Sequence, residues 1–119
     1  MKMKVVFEDM NKDFLEKTWQ WLHEPEVKFL TNSTDFGKED QIKWYEKIKN
    51  SKEYKMWIIL VDNIPVGAAG LKRITNNDAH VFWYIGEKKY WGKGFGNVIA
   101  SEITKKAKQI GLVSIYGET

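Results

Sequence analysis

The spacing of apolar positions changes character along the chain, and each change marks an element. Lys4 to Glu8 reads as a short strand. From there to about Asn50 the spacing is helical. Asn11 or Asp9 can cap a helix that runs to about Glu24, with Phe14, Leu15, Trp19 and Leu22 on one face. Pro25 ends or redirects it. A short helical piece follows, holding Val27, Phe29 and Leu30, and then a polar loop from Thr31 to Gly37. The next helix runs from about Lys38 to Asn50. Glu39 and Asp40 lie in its first turn, where the helix dipole favours them, and Ile42, Tyr45 and Ile48 form its apolar stripe.

After Ser51 the pattern becomes that of strands. Met56 to Val61 is a continuous apolar run, expected to be buried on both faces. Asp62-Asn63 signals a hairpin turn, and Val66 to Ile74 returns as the second strand, with Gly67 and Gly70 permitting close approach. Thr75 to Asp78 is another turn, and His80 to Glu87 a further strand. A glycine-rich loop then leads into a helix from about Gly96 to Ile110. Ile99, Ile103 and Ala107 share one face, joined by Ile110, and Gly111 ends the helix. Leu112 to Tyr116 begins a last strand. The order is β-α-α-β-β-β-α-β, an α+β fold (an α/β sandwich). Its central sheet is mostly antiparallel, with one parallel crossover and helices on both faces.

Composition narrows the chemistry. The 119 residues suffice for one domain spanning 1–119, and a 43% apolar share supports a core. With no cysteine, disulfides, thiolate metal sites and cysteine nucleophiles are all excluded. The two histidines, His23 and His80, are far apart, so no metal site is expected. No apolar run approaches the roughly 20 residues of a membrane span. The basic start lacks the apolar core of a signal peptide, so a cytoplasmic protein without a membrane partner is expected. The net charge of +3, with all but one of the 19 basic residues being lysine, suits an anionic small molecule and is no nucleic-acid footprint by itself.

The strongest chemical feature is Tyr90-Trp91-Gly92-Lys93-Gly94-Phe95-Gly96, at a strand-to-helix junction. The first N–H groups of a helix have no internal partner, and the dipole adds about half a positive charge there. Glycines at 92, 94 and 96 let backbone N–H groups approach phosphate oxygens, and Lys93 adds a cation. The spacing is neither that of a Walker A loop nor the Gly-x-Gly-x-x-Gly of a dinucleotide site. Lys93 to Val98 copies the opening of an RNA-recognition signature. However, Asn97 and Ala100 stand where base-stacking aromatics are needed, and that signature belongs within a strand. Nucleic acid is therefore not the expected partner. A tight turn without a ligand is the bland alternative.

Trp91-Gly92-Lys93-Gly94-Phe95-Gly96 resembles the pyrophosphate motif Arg/Gln-x-x-Gly-x-Gly/Ala of the GNAT superfamily of N-acetyltransferases. Trp91 departs from the first position. The run Tyr-Trp-Gly-Lys-Gly is, however, common in the RimJ/RimL-like branch, which Tyr84-Ile85-Gly86-Glu87, Ile64-Pro65-Val66-Gly67 and the Gln41-x-x-Trp44-Tyr45 helix also resemble. The resemblance covers nearly the whole chain and implies acetyl-CoA as co-substrate, with no metal. It implies that backbone groups near Trp83, Tyr84 and Ile85 pair with the pantetheine arm. One of these N–H groups would polarise the thioester carbonyl, and N–H groups of Trp91, Gly92, Lys93, Gly94, Phe95, Gly96 and Asn97 would hold the pyrophosphate.

The implied reaction is direct attack by a primary amine, with a base to take its proton. His80 suits that role at neutral pH; Asp78 is the second choice and Glu87 a weaker third. The family's final helix and strands, with the tyrosine that often serves as acid, are not expected within this chain. A truncated product, or a homodimer covering an exposed sheet edge, is expected instead. Trp21, Phe29 and Trp44 are expected to wall the acceptor pocket. The layout Trp19-x-x-Leu22-His23-x-Pro25 resembles acetyltransferases acting on amino groups of nucleotide-linked sugars. Polyamines and protein N-termini are the competing acceptors, and a non-catalytic acyl-CoA-binding module is the competing class.

Overall fold

A computed structural model describes residues 3–117. The strands are β1 (Val5–Asp9), β2 (Tyr54–Val61), β3 (Ile64–Lys72), β4 (Asp78–Ile85) and β5 (Ser114–Tyr116). They form one sheet in the order β1-β2-β3-β4-β5, antiparallel except for the β4–β5 pair. The helices are α1 (Leu15–His23), α2 (Pro25–Thr31), α3 (Lys38–Ile48) and α4 (Phe95–Gln109), with 3₁₀ turns at Lys12–Phe14 and Lys88–Tyr90. The expected α+β class and mostly antiparallel sheet are as found; the short piece after Pro25 is a helix in its own right.

Local chemistry explains the boundaries. Asn11 accepts the N–H of Asp13 and opens the first helical segment. Glu24 accepts the N–H groups of Glu26 and Val27 and so starts α2, with Pro25 at its first position. Asp62 and Asn63 both adopt positive φ, the conformation that a tight hairpin between twisted strands needs. Gly111 reverses the chain after α4 at φ 92°.

Each face of the sheet carries its own core. On one face, Ile99, Ile103 and Ala107 of α4 pack on Phe7, Trp57, Ile59, Val61, Leu71 and Ala79. On the other, Trp21 of α1 packs on Ile58 and Ala68, with Phe14, Met56, Leu60 and Tyr84 around them. β2 is thus buried on both sides, as its unbroken apolar run predicts. Gly67 and Gly70 are required by packing. A Cβ at Gly67 would fall 2.1 Å from the Tyr84 carbonyl oxygen, and one at Gly70 would fall 2.3 Å from the Phe82 ring.

Two helical stripes differ from expectation. In α1 the buried residues are Leu15, Thr18 and Trp21, not Trp19. Trp19 is turned outward, where its ring stacks on His23 at 4.1 Å and its Nε1–H donates to the Phe36 carbonyl at 3.3 Å, fixing the loop before α3. In α3 the buried residue is Gln41, which donates to the buried Thr18 hydroxyl at 2.6 Å, while Ile42 is 47% exposed. α3 meets α1 through this polar pair, so its contact face is rotated away from the apolar stripe.

Candidate active site

β4 is the strand around which the site forms. With β3 it pairs from His80 to Ile85 and, among the described residues, with β5 over Asp78–His80. A cleft of about 1070 Å³ lies along β4. Val81, Phe82, Trp83, Tyr84 and Ile85 line one side of that cleft, and Gly92, Gly94, Phe95 and Gly96 close one end. Val27, Leu30, Thr31, Asn32 and Ser33 of α2 and its following turn also line it.

The glycine loop has the geometry of an anion cradle. Gly92 and Gly94 take φ of 70° and 82°, a region that favours glycine, and a Cβ on either would meet nothing within 4 Å. The backbone here is therefore both unusual and open to a ligand. Gly94 is the N-cap of α4 and offers no side chain to the first N–H groups, and no acidic residue lies in that turn. Those donors remain free for an outside acceptor. Gly96 serves packing, since a Cβ there would lie 3.4 Å from the Trp83 ring. The Trp91 ring donates Nε1–H to the Ile85 carbonyl at 2.8 Å, tying the loop to the end of β4. That bond gives a physical use for tryptophan where the motif has arginine or glutamine.

The expected proton-transfer groups separate. His80 lines the cleft, is 8% exposed and stacks on Tyr116 at 5.3 Å. Its Nδ1 is buried with no hydrogen-bond partner. The Asp78 carboxylate accepts from the Thr75 hydroxyl at 2.9 Å and braces the β3–β4 turn outside the cleft lining. Glu87 accepts from Trp21 Nε1–H at 3.0 Å and pairs with Lys17 at 3.0 Å. The Trp21 hydrogen bond, with Lys17 beside it, holds its carboxyl below the usual value. It is a structural carboxylate, occupied on the far side of α1.

The three aromatic residues expected at the acceptor wall are not brought together there. Trp21 is 4% exposed and lies against Gly86, where a Cβ would fall 2.1 Å from its ring; it is a core residue. Phe29 is 83% exposed, because α2 turns Val27 inward and leaves Phe29 on the outer side. Trp44 stands one layer back, edge-on to Tyr54 at 5.8 Å. The aromatic side chains that do line the cleft include Tyr54 and Phe82, whose rings lie 5.8 Å apart. Phe82 was legible in principle. With His80 and Tyr84 it occupies every second position of β4, so the three share one face. Burial pushes the Tyr54 hydroxyl up to about 12, and pushes that of Tyr84 further in the same direction.

A cleft along a strand, running into a glycine turn and an uncapped helix, suits a long acyl carrier with a phosphate head and an acceptor beside it. That is the arrangement an acyl-CoA-dependent acyltransferase needs. Residues 4–119 match the acetyltransferase (GNAT) domain, and the chain belongs to this family. It is accordingly an acyltransferase, one of a family that transfers an acetyl group to an amine. No match is found among curated proteins.

Solved structures share the fold. A domain from Methanocaldococcus jannaschii is 23% identical, with a TM-score of 0.77 over 92% of this chain and 73% of its own. Spermidine N-acetyltransferase from Vibrio cholerae, in complex with CoA and spermine, is 12% identical, with a TM-score of 0.80 over 89% of this chain and 64% of its own. Campylobacter jejuni N-acetyltransferase PseH, in complex with acetyl coenzyme A, is 16% identical, with a TM-score of 0.69 over 96% of this chain and 75% of its own. Such identities establish architecture, not acceptor. Among the described residues no helix is long and apolar enough to cross a membrane, and no group of three metal-ligating side chains comes together.

Proposed function

We propose that this chain acetylates a primary amine of a small molecule, with an amino group on a nucleotide-linked sugar as the leading acceptor. The observation that carries the reading is the glycine loop, where the open, left-handed Gly92 and Gly94 lead into the uncapped N-terminus of α4 at one end of the cleft along β4. Backbone groups of Trp83, Tyr84 and Ile85 would pair with the pantetheine arm in the manner of an added strand. The N–H groups from Trp91 to Asn97 would hold the pyrophosphate, a role that fits the open, left-handed glycines and the uncapped α4. Bound there, acetyl-CoA supplies an electrophilic thioester carbonyl.

The protein's own residues do the remaining work. A β4 N–H donates to the oxygen on which charge develops. The imidazole of His80 accepts the proton of the incoming ammonium; Asp78, already engaged by Thr75, is the second choice. The cleft positions the two reactants, which supplies much of the acceleration. A homodimer along an outer strand belongs to the same reading, since β1 and β5 bound the sheet.

The test is release of free CoA thiol from acetyl-CoA with a panel of primary amines, each product confirmed by mass. Thiol release that depends on amine supports the reading. Tight acetyl-CoA binding with no amine-dependent release from any member would remove it.

A further inference from the structure

The register of the sheet places four side chains in one row across the cleft face. Tyr54 of β2 pairs with Lys72 of β3, Lys72 with His80 of β4, and His80 with Tyr116 of β5. Residues directly opposite one another share a face. Phe82 lies one step along the same face, with the Lys72 ammonium 5.7 Å from its ring centre. Tyr54, Lys72, His80 and Phe82 all line the cleft.

The charge of this cleft is one-sided. Lys72 lines it, and no aspartate or glutamate does, among the described residues. Several carboxylates of the covering helices and loops are paired with other lysines: Glu16 with Lys38, Glu24 and Glu26 with Lys88, Asp35 with Lys28, and Glu87 with Lys17. Among the described residues Lys72 has no ion pair, although it is half-buried. An ammonium held over an aromatic face, beside hydroxyl and imidazole groups, is placed to donate to an anion in the cleft.

We infer that the acceptor amine carries its own negative charge, a phosphate or a carboxylate, and that Lys72 recognises it. This rests on the acetyl-transfer reading of the same cleft. The anion is not the pyrophosphate of the donor. His80, opposite Lys72, is five residues from Ile85 along β4, about 16 Å at strand rise, and the glycine loop follows Ile85. A polyamine is the wrong ligand, because its second and third charges would meet Lys72 with no carboxylate among the lining residues to hold them.

Pairs of amines matched except for the anion test this. Suitable sets are glucosamine with glucosamine 6-phosphate, and ethanolamine with phosphoethanolamine and with β-alanine, alongside spermidine. Binding by calorimetry with CoA present and turnover are measured for the parent, Lys72→Met and Lys72→Arg. The anionic member should lead its neutral partner by about 10- to 100-fold in kcat/KM, the range expected of a charge-assisted hydrogen bond. Lys72→Met should abolish that lead through KM, Lys72→Arg should retain most of it, and KM for acetyl-CoA should stay within about twofold. The phosphate and carboxylate arms show which anion the site takes. Preference for spermidine or for neutral amines, or a lead that survives Lys72→Met, overturns the inference while leaving acetyl transfer intact. Absence of Lys72-dependent binding by every anionic amine overturns it as well. Lys72-dependent binding with no acetylated product would instead retain the inference and remove the acetyl-transfer reading.

Discussion

A buried imidazole ordinarily has a partner for each ring nitrogen, and Nδ1 of His80 has none among the described residues. Its neighbours include a tyrosine ring in β5 and the cleft it lines, and the proposed base would take its proton from whatever group the cleft holds. If that is the acceptor amine, His80→Gln should lower kcat/KM for amines by about 10²- to 10⁴-fold, with acetyl-CoA affinity preserved. Stopped-flow turnover beside calorimetry separates the two quantities; a loss smaller than about fivefold would assign His80 to packing instead. Gly67 poses the opposite kind of residue-scale constraint, one of space. Its missing Cβ would overlap a main-chain oxygen, which cannot rotate away as a side chain can. Gly67→Ala should therefore cost about 2–3 kcal/mol in urea unfolding, at the upper end of overpacking effects.

At the scale of elements, the signals that sequence carried best were those fixed by local chemistry. The hairpin at Asp62-Asn63, the stop at Gly111 and the glycine loop before α4 each need a backbone conformation that few residues tolerate, so they are written in residue type. The contact faces of α1 and α3 were not legible. Thr18 and Gln41 satisfy each other's polar groups, and a hydrogen-bonded polar pair can be buried where an apolar stripe was expected. The wall of the cleft was hidden for a related reason. Whether Trp21 faces α2 or the sheet depends on Gly86, 65 positions later, leaving room for its ring.

Trp21 also anchors α1 to the end of β4 through Glu87, and this link has a pH signature. Glu87 has a folded-state pKa below its ordinary value, chiefly because Trp21 donates to it, with Lys17 adding to the effect. A depressed carboxylate contributes stability that is present above its unfolded pKa and fades as pH falls through its folded one. Glu87→Gln should cost about 1 kcal/mol at neutral pH, a modest figure for a partly exposed pair. The gap to the parent should close in acid, below the ordinary carboxylate range. Denaturant midpoints measured for both proteins from neutral to acidic pH check this, and a gap independent of pH would show that shape, not charge, joins the two elements.

At the scale of the molecule, the sheet and its two cores hold the proposed donor site at a junction. One side of it is the cleft face of β4, backed by the core under α1; the other is the N-terminus of α4, seated on the opposite core through Ile99 and Ile103. A donor that touches both elements binds only when both are in place, so its binding energy becomes folding energy of the whole domain. Acetyl-CoA at about 100 times its dissociation constant should then raise unfolding stability by about 2.7 kcal/mol. Amide-exchange protection should rise in β4 and at the start of α4 together. Gly94→Ala should weaken this response, because a side chain at φ 82° strains the loop and narrows the approach to the first N–H groups of α4. The gain should also shrink with added salt, since part of it comes from an anion meeting a positive helix end and a chain of net charge +3. Protection confined to α4, with β4 exchanging as before, would place the phosphates at the loop and remove the pantetheine arm from β4.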